Sequence, residues 1–165
     1  MIPSAATAPP ASHRIRTMEI RALRPEEHDA WLSLREELWP DLSRDDLRWE
    51  LFDVLADRTR NHTLVAVDGK GGLVGFVEVS MREWAEGCTT HPVGYIEAWY
   101  VRSACHRQGI GRRLVEAAED WARSRGCLEM GSDADLSNEI SHRAHGALGY
   151  SEVGRAVLFS KKLAP

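Results

Sequence analysis

A mixed α/β fold, one sheet with helices on both faces, is predicted by three observations. Short apolar runs with strand character cluster in the middle of the chain. Segments with helical apolar spacing stand both before and after them. From Tyr95 to Asp133 the order is strand, turn, helix, strand, which implies a crossover and a parallel strand pair. At 165 residues the chain suits one domain with a sizeable core.

The elements follow in order. MEIRAL, from Met18, reads as a first strand. Pro25 opens a helix in which Ala30, Trp31, Leu34 and Leu38 recur at helical spacing, and Trp39-Pro40 ends it. Ser43 is an N-cap candidate with Asp46 three residues on, and Leu47, Leu51, Val54 and Leu55 share one face of the helix behind it. HTLVAVD and LVGFVEVSM form a hairpin about the turn Gly69 to Gly72. Residues 82–92 read as a polar loop, and PVGYIEAWYV as a long strand. A helix over 109–125 turns Ile110, Leu114, Ala117, Ala118 and Trp121 inward. CLEMGSD is a short strand ending in an acid, and the next helix stops at Gly149, as a C′ glycine dictates. SEVGRAVLFSKKL carries two further strand-like segments around Gly154, so the sheet is expected to hold about six to seven strands.

Composition narrows the function. Hydrophobic residues are 43% and charged residues 28%, no apolar run approaches membrane-spanning length, and no membrane partner is expected. A net charge of −4 argues against a nucleic-acid partner and is compatible with a cationic substrate. The three cysteines, Cys88, Cys105 and Cys127, show no metal-ligand spacing; reduced thiols, a cytoplasmic location and no metal are expected. Cys105 lacks an ordered His–acid set and reads as non-catalytic. Residues 1–17 are rich in Ala, Pro, Ser and Thr without the apolar stretch of a secretory signal. They are expected to be a disordered tail or upstream extension, leaving 18–165 as a single domain.

The passage carrying chemistry is HRQGIGRRL, from His106 to Leu114. Gly109 and Gly111 let backbone N–H groups approach a ligand, and the new helix adds unpaired N–H groups and its positive dipole end. Arg107, Arg112 and Arg113 add charge, so the turn suits a phosphate or pyrophosphate. On the strand ahead of it, Glu97 is an acid among apolar residues. Strict alternation puts it beside Tyr95 and Trp99, buried, and so either functional or ion-paired. Asp133 ends the next strand, beside the same cleft if the two run parallel, and also suits an N-cap.

The element order, with YVRSACHRQGIGRRL at its centre, resembles the GNAT superfamily of acyl-CoA N-acyltransferases over residues 18–163. The family's turn reads Gln or Arg, two residues, Gly, one residue, then Gly or Ala; His106 departs from it at the first position. LWPD, PVGYIEAWYV, GCLEMGSDADLSNEISHRAHGALGY and VLFSKK are similar to one branch, the aminoglycoside 6′-N-acetyltransferases. The resemblance implies a strongly twisted sheet with a splayed central parallel strand pair. It also implies acetyl-CoA as donor, an aminoglycoside 6′-amine as acceptor and a homodimer. His106, Arg107, Gln108, Gly109, Ile110, Gly111 and Arg112 would hold the pyrophosphate. Trp99, Tyr100 and Val101 would hold the pantetheine arm, and Asn138 would also face the cofactor. Glu97 and Asp133 would bind the acceptor or take its proton through water, Glu97 being the first candidate for base. His145 stands where the family places a leaving-group acid. Trp39, Glu83 and Trp84 would complete the acceptor site, while Glu78 and Glu86 fit solvated acids. Another amine, a polyamine or a protein N-terminus would need the same turn, and so would a non-catalytic acyl-CoA-binding or antibiotic-sequestering protein.

Overall fold

The computed structural model describes residues 18–163, so the expected tail over 1–17 lies outside the described residues. Strands β1 (Glu19–Ala22), β2 (Asn61–Val67), β3 (Leu73–Arg82), β4 (Val93–Val101) and β5 (Met130–Ser132) form one sheet in that order. The first three pairings are antiparallel and β4–β5 is parallel. A 3₁₀ turn at Pro25–Glu27 leads into α1 (His28–Leu38), and α2 (Arg44–Ala56) follows before β2. Helix α3 (Ile110–Ser124) makes the crossover from β4 to β5, and α4 (Glu139–Ala147) follows β5.

Local sequence accounts for these ends. Ser43 Oγ accepts the Asp46 N–H at 3.1 Å, so α2 starts on the expected cap. In the β2–β3 turn Asp68 Oδ1 accepts from Lys70 and Gly72 N–H groups, and Gly71 takes φ +85°. At the end of α4, Gly149 lies at φ +94° and donates to Gly146 O, while the Tyr150 N–H donates to His145 O. That is a Schellman motif, and its ring contact joins Tyr150 to His145.

The alternation of β2 divides two cores. Val65 and Val67 join Trp31, Leu34, Leu47, Leu51 and Phe76 beneath α1 and α2. Leu64 and Ala66 join Val77, Ile96, Leu114 and Ala118 beneath α3. A buried ion pair lies under α1. Glu78, 3% exposed, takes both carboxylate contacts from Arg35 at 2.6 Å and the Trp31 indole N–H at 3.0 Å. The sequence reading of Glu78 as a solvated acid is therefore corrected: its strand is covered on both faces.

Two further expectations change. The sheet has five strands among the described residues, with the parallel pair at its edge. The tail from Ser151 to Leu163 forms no strand; Leu158 and Phe159 are each 92% exposed. Apolar alternation shows how a strand would bury its side chains. It does not supply the neighbouring ladder a strand needs.

The second change is a β-bulge. Glu78 pairs with Ala98 and Val79 with Ile96, which leaves Glu97 as the extra residue of β4. One extra residue reverses the phase of the strand. Ile96 and Trp99 consequently face α3, whereas Ala98 and Tyr100 face α1. Glu97 does not share a face with Trp99, and it is exposed rather than buried.

Candidate active site

The bulge sets Glu97 on an open part of the sheet surface, where three side chains fix it. Arg82 donates through Nε to Oε1 at 2.9 Å and through Nη2 to Oε2 at 2.5 Å, and Ser80 Oγ donates to Oε1 at 2.5 Å. The Arg82 guanidinium also lies 3.4 Å over the centre of the Tyr95 ring, and the Tyr95 hydroxyl donates to Asp133 Oδ1 at 2.7 Å. Glu97 and Asp133 thus belong to one cluster. Burial, together with the hydrogen bond to Asp133, pushes the Tyr95 phenol well above its ordinary range, so the tyrosine stays a donor. Asp133 does not cap the following helix. Asn138 does, accepting the Ser141 N–H at 3.0 Å.

Beyond Ile96 and Ser132 the parallel ladder stops, and β4 continues alone to Val101 on that side. Gly109 takes φ +74° as the N-cap of α3 and supplies no side-chain cap to its first turn. A Cβ on Gly109 would meet nothing within 4 Å, so the turn is an open cradle in front of uncapped N–H groups. Arg107 is also held at positive φ, +58°. Gly111 has a different reason to be glycine: a Cβ there would lie 2.8 Å from the Trp99 ring. The Trp99 indole N–H is buried and has no hydrogen-bond partner among the described residues. These features fit a ligand with a phosphate group at the turn and an acceptor atom beside Trp99.

Other members of the expected cofactor set point elsewhere. His106 Nε2 lies 2.7 Å from Val101 O, folding the histidine back on its own strand. The Arg112 guanidinium donates to Ala147 O at 2.9 Å, tying α3 to the end of α4. Tyr100 donates to Glu37, which also receives Arg102. Gln108 is exposed beside the cradle, and Ile110 packs into the α3 core.

His145 joins the two halves. Its ring meets Trp99 edge-on with centroids 5.6 Å apart. Nδ1 lies 2.9 Å from Ser141 O and Nε2 lies 2.9 Å from Ser132 Oγ. A carbonyl only accepts, so Nδ1 carries a hydrogen in the contact with Ser141 O.

The outer residues are less assembled. Trp39 is half-buried at the end of α1, its ring 4.6 Å from the Arg35 guanidinium, so packing explains much of its placement. Trp84 is 68% exposed. Glu83 accepts from Arg60 at 2.8 Å. Trp84, Glu83, Arg82 and Arg60 line one open cleft.

The sequence profile of the acetyltransferase (GNAT) family matches residues 22–150. The chain belongs to this family. It is 40% identical over 146 residues to an aminoglycoside N(6′)-acetyltransferase type 1 of Klebsiella aerogenes, an alignment covering 87% of this chain and 96% of the relative. AAC(6′)-Iy, solved with the bisubstrate analogue CoA-S-monomethyl-acetylneamine, superposes with a TM-score of 0.82 at 29% identity, covering 89% of this chain and 99% of that one. The apo 6′-N-acetyltransferase AAC(6′)-IG from Acinetobacter haemolyticus gives a TM-score of 0.81 at 35% identity, with 88% and 99% covered.

Within this GNAT domain the sequence reading missed Arg82, Ser80, Tyr95 and Ser132 as site residues. Arg82 sat in the stretch assigned to a polar loop, yet it is the last residue of β3. The available signal was Glu97 itself, since an acid inside a strand needs a partner on the neighbouring strand.

Proposed function

We propose that this chain transfers the acetyl group of acetyl-CoA to the 6′-amine of aminoglycoside antibiotics, by direct attack in a ternary complex, and so confers resistance. The observation that carries the reading is the Glu97–Tyr95–Asp133 cluster at the point where β4 and β5 part. It stands in a chain 40% identical to an aminoglycoside N(6′)-acetyltransferase. Two carboxylates on one open face attract and orient a polyamine. The bulge separates the Glu97 face of β4 from the face of Trp99, which lies with the Gly109 cradle towards α3.

The residues divide the work. Bound acetyl-CoA supplies the activated acyl group. Its phosphates would meet the cradle of Arg107, Gln108, Gly109 and the N–H groups of Ile110, Gly111 and Arg112, with His106 shaping the turn. The arm would lie along Trp99, Tyr100 and Val101, with Asn138 across from them. Glu97, held by Ser80, takes the ammonium proton through water, while Asp133 holds the amine in place. His145, beside Trp99 and Ser132, stands on the cofactor side, where it would donate a proton to the departing thiolate. Trp39, Glu83 and Trp84 complete the acceptor side.

In this reading residues 18–165 act as a single domain in the cytoplasm. None of the described helices is long and apolar enough to cross a membrane. The chain works as a homodimer in which the exposed Val157, Leu158 and Phe159 cover a second copy. Acetyl-CoA-dependent turnover of kanamycin, tobramycin and gentamicin, with the product located by NMR, tests the activity. Acetylation at an amine other than 6′, or no turnover of any of them, would overturn it.

A further inference from the structure

The two carboxylates proposed to receive the acceptor already have a cation between them. Arg82 makes a forked pair with Glu97 and covers the ring of Tyr95, whose hydroxyl is given to Asp133. These are the two kinds of contact a substrate ammonium would make: a carboxylate in the plane and an aromatic face beneath. We propose that Arg82 is a resident counter-cation that an acceptor must displace. The proposal rests on the acetyltransferase reading for its substrate class, though its cation site stands on geometry alone.

With Arg82 in place, Glu97 and Asp133 keep one uncompensated negative charge between them. A monocation that removes Arg82 exchanges one ion pair for another and gains little. A polycation replaces Arg82 and brings further ammonium groups to the surrounding acids. The displaced guanidinium has somewhere to go. Its side chain is 40% exposed and borders the open cleft that also holds Glu83 and Glu86. An exposed ion pair of this kind is weak enough to exchange.

Two measurements test it. The first compares wild type with Arg82→Gln on methyl 6-amino-6-deoxyglucoside, a monoamine, and on kanamycin A. The variant should lower KM for both amines by a similar factor, about five- to tenfold, because each is spared the displacement of Arg82. A KM that is unchanged or raised for both amines would overturn the displacement. The second needs no turnover. By calorimetry, methylguanidinium should bind Arg82→Ala about tenfold more tightly than wild type, because the vacated site takes the free cation. Binding by folded Arg82→Ala and Arg82→Gln that is no tighter than by wild type would overturn the resident-cation assignment even if kanamycin is acetylated. Tight methylguanidinium binding by the variants of an enzyme that acetylates no aminoglycoside would uphold the cation site and reject the substrate reading.

Discussion

Gly109 and Gly111 stand two positions apart and are glycines for different reasons. Gly109 holds φ +74° over open space, so Gly109→Ala should fold with a loss of about 1 kcal/mol and a sharp drop in acetyl-CoA affinity. Gly111→Ala drives a methyl into Trp99, 2.8 Å away, and should cost about 1–3 kcal/mol through overpacking. Thermal melts paired with calorimetry separate the two; identical behaviour would reject the distinction. The carboxylates separate by kinetics. Glu97→Gln should lose kcat with acetyl-CoA affinity intact, whereas Asp133→Asn should chiefly raise KM for the antibiotic. An inverted pattern would exchange their roles. The glycine requirement at 109 was legible in the sequence, because a tight turn directly ahead of a helix start calls for one. The reason for Gly111 was not, since Trp99 reaches it only after the bulge turns that side chain towards α3.

The elements with strong periodicity were the legible ones. Ser43 with Asp46 began α2, Gly149 ended α4, and α3 buried Ile110, Leu114 and Ala118 of its expected stripe, with Ala117 and Trp121 half-buried against the same core. The bulge left no mark, because residues 93–101 alternate acceptably in either phase. The Arg35–Glu78 pair was hidden for a related reason: a charged residue in a helix or strand does not announce a partner on another element. Removing Arg35 strands the Glu78 charge in the core, whereas Arg35 keeps a second carboxylate, Glu50, when Glu78 is removed. Arg35→Met should therefore destabilise by about 3–5 kcal/mol, and Arg35→Met with Glu78→Leu should cost less. Urea unfolding measures both, and a double variant as unstable as the single would reject the pairing account. At the 3₁₀ turn, the hydrogen bonds from Arg21 hold the Glu27 carboxyl down from 4.5 to about 2. A lowered folded-state value stabilises above the unfolded one, so this contribution is complete above about pH 4.5 and disappears as pH falls towards 2. In Glu27→Gln the acid-unfolding profile should lose that share of its slope.

At the scale of the molecule, the family and the helix–sheet–helix layering were legible from element order, but the strand count was not. The tail after Tyr150 carries a strand's composition without a strand's partner. Val153 touches the structure at Gly87, where a Cβ would lie 2.6 Å from the valine, and the apolar residues beyond it stand in solvent. A chain that exposes Leu158 and Phe159 at 92% each should assemble through them. Light scattering on the full chain should give a dimer, and Leu158→Asp with Phe159→Ser should give a folded monomer. A full-length monomer at micromolar concentration would exclude this interface.

The extra residue at position 97 also bears on how such a strand diverges. Without it, Trp99 would turn to the α1 face with Tyr95, away from α3. The bulge gives the strand two reading frames, one for Val93 to Ile96 and one for Ala98 to Val101. Under the proposed function, substitution at Tyr95 in the first frame would alter the amine side while Trp99 in the second stays packed against α3 and Gly111.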